Sequence, residues 1–180
     1  DNCGLWNLTV ENTTGDSPQA LAVSLEGDKT VVKSCIFLGG QDTVLSNGDG
    51  KRQYFKDTYI DGVVDFIFGS ATAIFDSCIV YAKDRVDKLA GSYITAANTP
   101  TTQTYGYVFR NTILPANNGV TSYVLGRPWQ NAPRAVYLNT KMINEPNTLG
   151  WASMGTLPAL FSEYNSVNGN GVAVNTDNRT

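Results

Sequence analysis

The chain has 180 residues, 42% apolar and 16% charged, with 17 Gly, 9 Tyr and 7 Phe; that length and balance fit one globular domain with a sizeable core. A net charge of −3 without any Lys/Arg cluster argues against a nucleic-acid surface, and no apolar run approaches a membrane span. Histidine is absent, which removes Ser-His-Asp and Cys-His catalysis and His-ligated metals, so hydrolytic chemistry has to run on carboxylates, Lys, Tyr or Cys.

The chain opens on Asp1, already inside a patterned segment, with no signal peptide. That start suggests a mature or truncated piece and leaves secretion open. Asn2-Cys3-Gly4-Leu5 reads as the tail of a motif of the form apolar, any, small polar, Cys or Thr, any, apolar. Fuller copies follow as Val32-Lys33-Ser34-Cys35-Ile36-Phe37, Phe55-Lys56-Asp57-Thr58-Tyr59-Ile60 and Phe75-Asp76-Ser77-Cys78-Ile79-Val80. Phe109-Arg110-Asn111-Thr112-Ile113-Leu114 and Tyr137-Leu138-Asn139-Thr140-Lys141-Met142 complete the series. The Cys/Thr positions are 32, 23, 20, 34 and 28 residues apart. Between them lie short β-branched and aromatic runs broken by Gly, Asn and Asp, without helical periodicity.

Strand repeats at this period predict an all-β solenoid, a parallel β-helix with one motif per coil. Val32, Phe55, Phe75, Phe109 and Tyr137 then form one interior column; Leu5, Phe37, Ile60, Val80, Leu114 and Met142 form another. The small polar residue of each motif marks a tight turn, and residues 83–91 and 115–121 are longer loops. A β-sandwich is the alternative, but it requires hairpin turns, for which Asn47-Gly48 is a poor single candidate. The three cysteines form neither a zinc set nor a Cys-x-x-Cys pair. Cys35 and Cys78 sit two coils apart, about 9–10 Å, too far to bond; Cys3 and Cys35, on adjacent coils, could bond, although buried free thiols are the first reading.

Asp65 stands in the apolar run Val63-Val64-Asp65-Phe66-Ile67-Phe68, which reads as a buried strand, where an unpaired carboxylate is expensive. Asp42 follows Cys35 by seven residues and Asp65 follows Thr58 by seven, so the two fall on equivalent places of consecutive coils, about 4.8 Å apart in backbone. Gln19 precedes Gln41 by 22 residues, close to one coil. Counting back from the next motif, Asp65 lies thirteen before Cys78 and Arg127 thirteen before Thr140, with one coil between. Repetition thus gathers Gln19, Gln41, Asp42, Asp65 and Arg127 on one sheet. Arg127 would keep Asp65 ionised, leaving Asp42 as the protonated member of the pair. A nucleophile, a general acid and two amide donors suit covalent hydrolysis of an ester or glycoside. Trp129, next to Pro128, offers a stacking platform for a sugar ring.

These residues carry a resemblance to the pectin methylesterases (pectinesterases). Matching segments are Asn7–Thr13, Gln19-Ala20-Leu21-Ala22-Val23, Gly40-Gln41-Asp42-Thr43-Val44, Val64-Asp65-Phe66-Ile67-Phe68-Gly69 and Leu125-Gly126-Arg127-Pro128-Trp129, with Gly150-Trp151 and Phe161–Asn165 toward the end. The resemblance implies a right-handed parallel β-helix over residues 1–180, one catalytic domain lacking its N-terminal coils. It implies hydrolysis of the C6 methyl ester of galacturonosyl units in pectin, with release of methanol, no cofactor and no metal. Asp65 would be the nucleophile, Asp42 the acid and then base, Gln19 and Gln41 the oxyanion donors, and Arg127 the partner orienting Asp65. Trp129 and Phe66 would line the cleft. It also implies a secreted, monomeric enzyme acting on methyl-esterified homogalacturonan, with neither nucleic acid nor membrane as partner. Two departures bear on subsites: Val44-Leu45 replaces the family's Leu-Tyr, and Thr95-Ala96-Ala97-Asn98-Thr99 replaces Thr-Ala-Gln-Gly-Arg. The runner-up is a galacturonan hydrolase or lyase on the same scaffold, followed by a non-catalytic glycan-binding β-helix.

Overall fold

The structure, a computed structural model, describes residues 1–86, 91–115 and 122–180. Short strands recur coil after coil and build three sheets. The first runs through Gly4–Trp6, Thr30–Lys33, Arg52–Lys56, Thr72–Asp76, Tyr107–Arg110, Arg134–Leu138 and Leu160–Tyr164. The second runs through Thr9–Glu11, Ile36–Leu38, Tyr59–Gly62, Ile79–Ala82, Ile113–Leu114, Lys141–Met142 and Val167–Asn168. The third holds Val23–Leu25, Val44–Ser46, Ile67–Gly69, Ser92–Ala97 and Tyr123–Pro128. Spatial order follows chain order and the pairing is parallel throughout these sheets. Each coil therefore stacks on its neighbours alone, as a right-handed parallel β-helix does. The hairpin pairing that a β-sandwich needs does not occur among these strands.

The turn reading of the motif is met at the backbone. Ser34, Asp57, Ser77, Asn111 and Asn139 have φ between 51° and 53°, a left-handed conformation in which short polar side chains are tolerated. The same φ recurs at Asn7 (53°), in the first coil, and at Asn165 (55°), which adds a coil after the last motif copy. The first motif copy needs correction. Leu5 pairs with Val32, and Val10 with Phe37, so that copy is Leu5-Trp6-Asn7-Leu8-Thr9-Val10, five residues later than the Asn2-Cys3 reading. Leu5 belongs to the first column, and Cys3 is exposed and does not stack on Cys35. All three cysteines are free. Burial pushes the Cys78 thiol up to about 12, so it stays an inert core group.

Phe55, Phe75, Phe109 and Tyr137 form the expected column, each fully buried. Their rings stack at centroid distances of 4.4, 4.6 and 4.5 Å. Each such pair is worth about 0.5–1.5 kcal/mol beyond the burial itself. On the last coil Glu163 takes the place in register with Tyr137, and Arg179 Nε donates to its Oε1 at 2.6 Å. A buried carboxylate at that level is tolerable only with such a counter-charge.

The apolar run 63–68 is not one strand. The second sheet ends at Gly62, the third resumes at Ile67, and Asp65 between them has φ 50°. Apolarity here reflects a buried corner, which periodicity cannot distinguish from a strand. Of the two expected longer loops, residues 87–90 and 116–121 lie outside the described residues.

Candidate active site

The corner entering the third sheet is where the functional side chains collect. Val44 pairs with Ile67, which sets Asp42 opposite Asp65 two residues earlier on each coil. The Asp42 N–H donates to the Val64 carbonyl at 3.0 Å. Both aspartates have positive φ, 68° and 50°. One coil before, the Ala20 N–H donates to the Gln41 carbonyl at 3.2 Å, which seats exposed Gln19 beside half-buried Gln41. The backbone at Gly15-Asp16 crosses close over Gly40, where a Cβ would stand 1.9 Å from the Gly15 carbonyl oxygen.

Arg127 arrives from two strands away. It pairs with Ala96, which pairs with Phe68 on the other side, so its backbone lies level with Phe68, three residues past Asp65. The side chain reaches back and makes a fork, Nε to Asp65 Oδ1 at 2.8 Å and Nη2 to Oδ2 at 2.6 Å. Such bidentate pairs fix orientation as well as charge. The guanidinium also lies 4.2 Å from the ring centroid of Tyr93, a cation–π contact. Its hydrogen bonds to Asp65 raise its own pKa further.

Among the described residues, no guanidinium or ammonium pairs with Asp42 as Arg127 pairs with Asp65. Burial first, and then the charge of Asp65, push its carboxyl up to about 6, against an opposing pull from Arg127. The two carboxyls are therefore chemically unlike: Asp65 has both oxygens held by a guanidinium, and Asp42 keeps its proton into the mildly acidic range. Gln19, Asp42, Asp65, Phe68, Ala96, Trp129 and Met154 line an open cleft of about 290 Å³. A fixed carboxylate, a proton donor and amide groups around one small cleft can add to a carbonyl and expel an alcohol. Among the described residues, no group of three or more His, Cys, Asp or Glu is placed to hold a metal ion.

Of the residues singled out in the sequence, Gln19, Asp42, Asp65 and Trp129 face the cleft, and Arg127 backs Asp65. Gln41 flanks them without appearing in the lining. Phe66 is misplaced by the sequence reading: it is fully buried in the core. At this corner Phe66 and Ile67 are both fully buried, so Phe68 becomes the half-buried ring at the cleft, edge-to-face with Trp129 at 5.8 Å and 64°. Leu45, the aliphatic departure, is the register partner of Phe68, so the neighbour of that ring along the sheet is aliphatic and not aromatic. Phe68, Ala96, Tyr93 and Met154 went unread. Strand alternation outward from Phe68 would have found Ala96, its register partner, whereas Met154 comes from a segment with no period at all.

A family model described as Pectinesterase matches residues 4–180. The chain is 37% identical over 166 residues to Pectinesterase 31 of Arabidopsis thaliana, covering 88% of this chain and 49% of that protein. It is 35% identical over 172 residues to Probable pectinesterase A of Neosartorya fischeri, covering 92% and 50% respectively. The chain spans about half the length of these curated relatives. Among solved structures, pectin methylesterase from carrot superposes with a TM-score of 0.86 at 26% identity, over 98% of this chain and 57% of the other.

Proposed function

The chain belongs to the pectinesterase family, and from that premise we propose that it hydrolyses the C6 methyl esters of galacturonosyl units in pectin. The observation that supports this most is the inequality of the two aspartates, one forked by Arg127 and the other holding a proton up to about 6.

In this reading an Asp65 oxygen attacks the ester carbonyl, and the carbonyl electron pair moves onto oxygen. Gln19 and Gln41 donate to that oxyanion through their amide N–H groups. Collapse breaks the bond to the methoxy oxygen, which takes the Asp42 proton and leaves as methanol. An acyl group remains on Asp65. Asp42, now a carboxylate, removes a proton from water as the water attacks the acyl carbonyl, and Asp65 leaves. One ester and one water become one acid and one methanol, and both aspartates return to their starting state. Trp129 and Phe68 offer rings for a sugar to stack on.

One chain supplies every group in this scheme, which favours a monomer, and a cell-wall polymer as substrate implies a secreted protein. Methylated pectin incubated with the protein should yield methanol without new reducing ends, and Asp65→Ala should abolish that release. New reducing ends would instead indicate a glycosidic hydrolase or lyase, and neither product a binding module.

A further inference from the structure

The turn that carries Gln41 and Asp42 begins with Gly39-Gly40, a pair with no side chain to anchor it and high conformational freedom when unheld. It is held from outside, at both peptide groups of Gly39. The Gly39 N–H donates to Asp61 Oδ1 at 3.1 Å, and Lys83 Nζ donates to the Gly39 carbonyl. Lys83 Nζ also pairs with Asp61 Oδ1 at 3.2 Å, and the Tyr59 hydroxyl donates to Asp61 Oδ2 at 3.4 Å. Asp61 is buried, 7% exposed. The next peptide is tied to the same coil, because the Gly40 carbonyl accepts from Val63 N–H at 3.0 Å.

Charges in such a place incur desolvation that an apolar pair would avoid, and here both are aimed at one backbone residue. Neither Asp61 nor Lys83 lines the cleft. We infer that Asp61 and Lys83 are positioning residues of the esterase. They clamp Gly39 so that the following turn presents Asp42 opposite Asp65 and keeps Gln41 beside Gln19. The inference rests on the esterase reading above. Loosening the clamp lets the turn lift, which separates Asp42 from the Asp65 charge and admits water to its carboxyl.

The test compares wild type, Lys83→Met and Lys83→Arg, with methanol release on methylated pectin and carbon-13 NMR titration of the Asp42 carboxyl. For Lys83→Met, kcat falls about 10- to 100-fold while KM stays within about twofold. The Asp42 midpoint falls from about 6 toward the ordinary carboxylate value. Lys83→Arg, which keeps donors and charge, restores most of kcat and the midpoint. A folded Lys83→Met with wild-type kcat and an unmoved midpoint overturns the inference, even if its melting temperature drops. If Lys83→Met does not fold, Asp61→Asn keeps an acceptor for Gly39 and discharges the pair. It is expected to show the same fall in midpoint with a kcat loss of about 3- to 10-fold, and no change in either overturns the inference. Should wild type release no methanol, the esterase reading fails, and the midpoints alone decide the clamp.

Discussion

Replacing Asp42 by Asn keeps size and left-handed backbone tolerance but deletes the proton that the departing methanol needs. In the wild type, burial and the Asp65 charge raise this carboxyl from 3.8 to about 6. Roughly nine-tenths of it is protonated at pH 5 and roughly one-tenth at pH 7. A plot of kcat/KM for methanol release should therefore fall on its alkaline side with a midpoint near 6. Asp42→Asn should lower the rate by about 10²- to 10⁴-fold, the usual range for losing a general acid, and should erase that limb. The same substitution changes stability with a defined sign. The folded state binds the Asp42 proton more tightly than the unfolded chain does. The stabilisation is complete below 3.8 and disappears as pH rises through about 6, above which the ionised group is a penalty. Fully shielded, that shift would amount to about 3 kcal/mol; with the carboxyl only partly buried, about 1 kcal/mol is expected. Asp42→Asn should thus melt higher than wild type at pH 8 and alike at pH 3.5. A variant that kept the wild-type rate, or kept a limb near 6, would refute Asp42 as the acid.

Arg127→Lys cannot fork onto Asp65 and should lower kcat about 100-fold, measured by initial rates at saturating pectin. In Arg127→Ala the loss of the cation that pulls Asp42 down should move the remaining alkaline limb above 6. Phe75→Ala opens a hole between two stacked rings and should cost about 3–5 kcal/mol in denaturant unfolding. Arg179→Ala strands buried Glu163 and should cost about 3–5 kcal/mol by the same measurement, with Arg179→Lys partly restoring it.

The spacing of Cys35 and Thr58 to Asp42 and Asp65 made the central pair legible, because a turn residue with left-handed backbone recurs at the same place in each coil. Arg127 was legible as two strands distant, but its three-residue offset was not, since only its side-chain length decides how far back it reaches. The first motif copy was misread because Asn2-Cys3 imitates Ser34-Cys35. In the true copy Leu8 fills the thiol position, so the chemical label is missing there. Phe66 was misassigned because two consecutive residues turn inward at a corner, a break that a resemblance on composition does not reveal. The Asp61–Lys83 contact joins residues 22 apart through the backbone of Gly39, and nothing in a one-dimensional pattern points at a glycine's peptide groups.

Every strand level of the third sheet contributes to the cleft: Gln19 before the first strand, Asp42 before the second, Asp65 and Phe68 at the third, Ala96 in the fourth and Trp129 after the fifth, with Arg127 of that fifth strand behind Asp65. A slip of a single coil by one residue would move its group about 3.3 Å along the strand and turn it to the opposite face. Sheet content would hardly change, and far-ultraviolet dichroism would not register the slip. Turnover would register it, so regain of activity during refolding times the moment when five coils come into mutual alignment, later than the regain of strand signal.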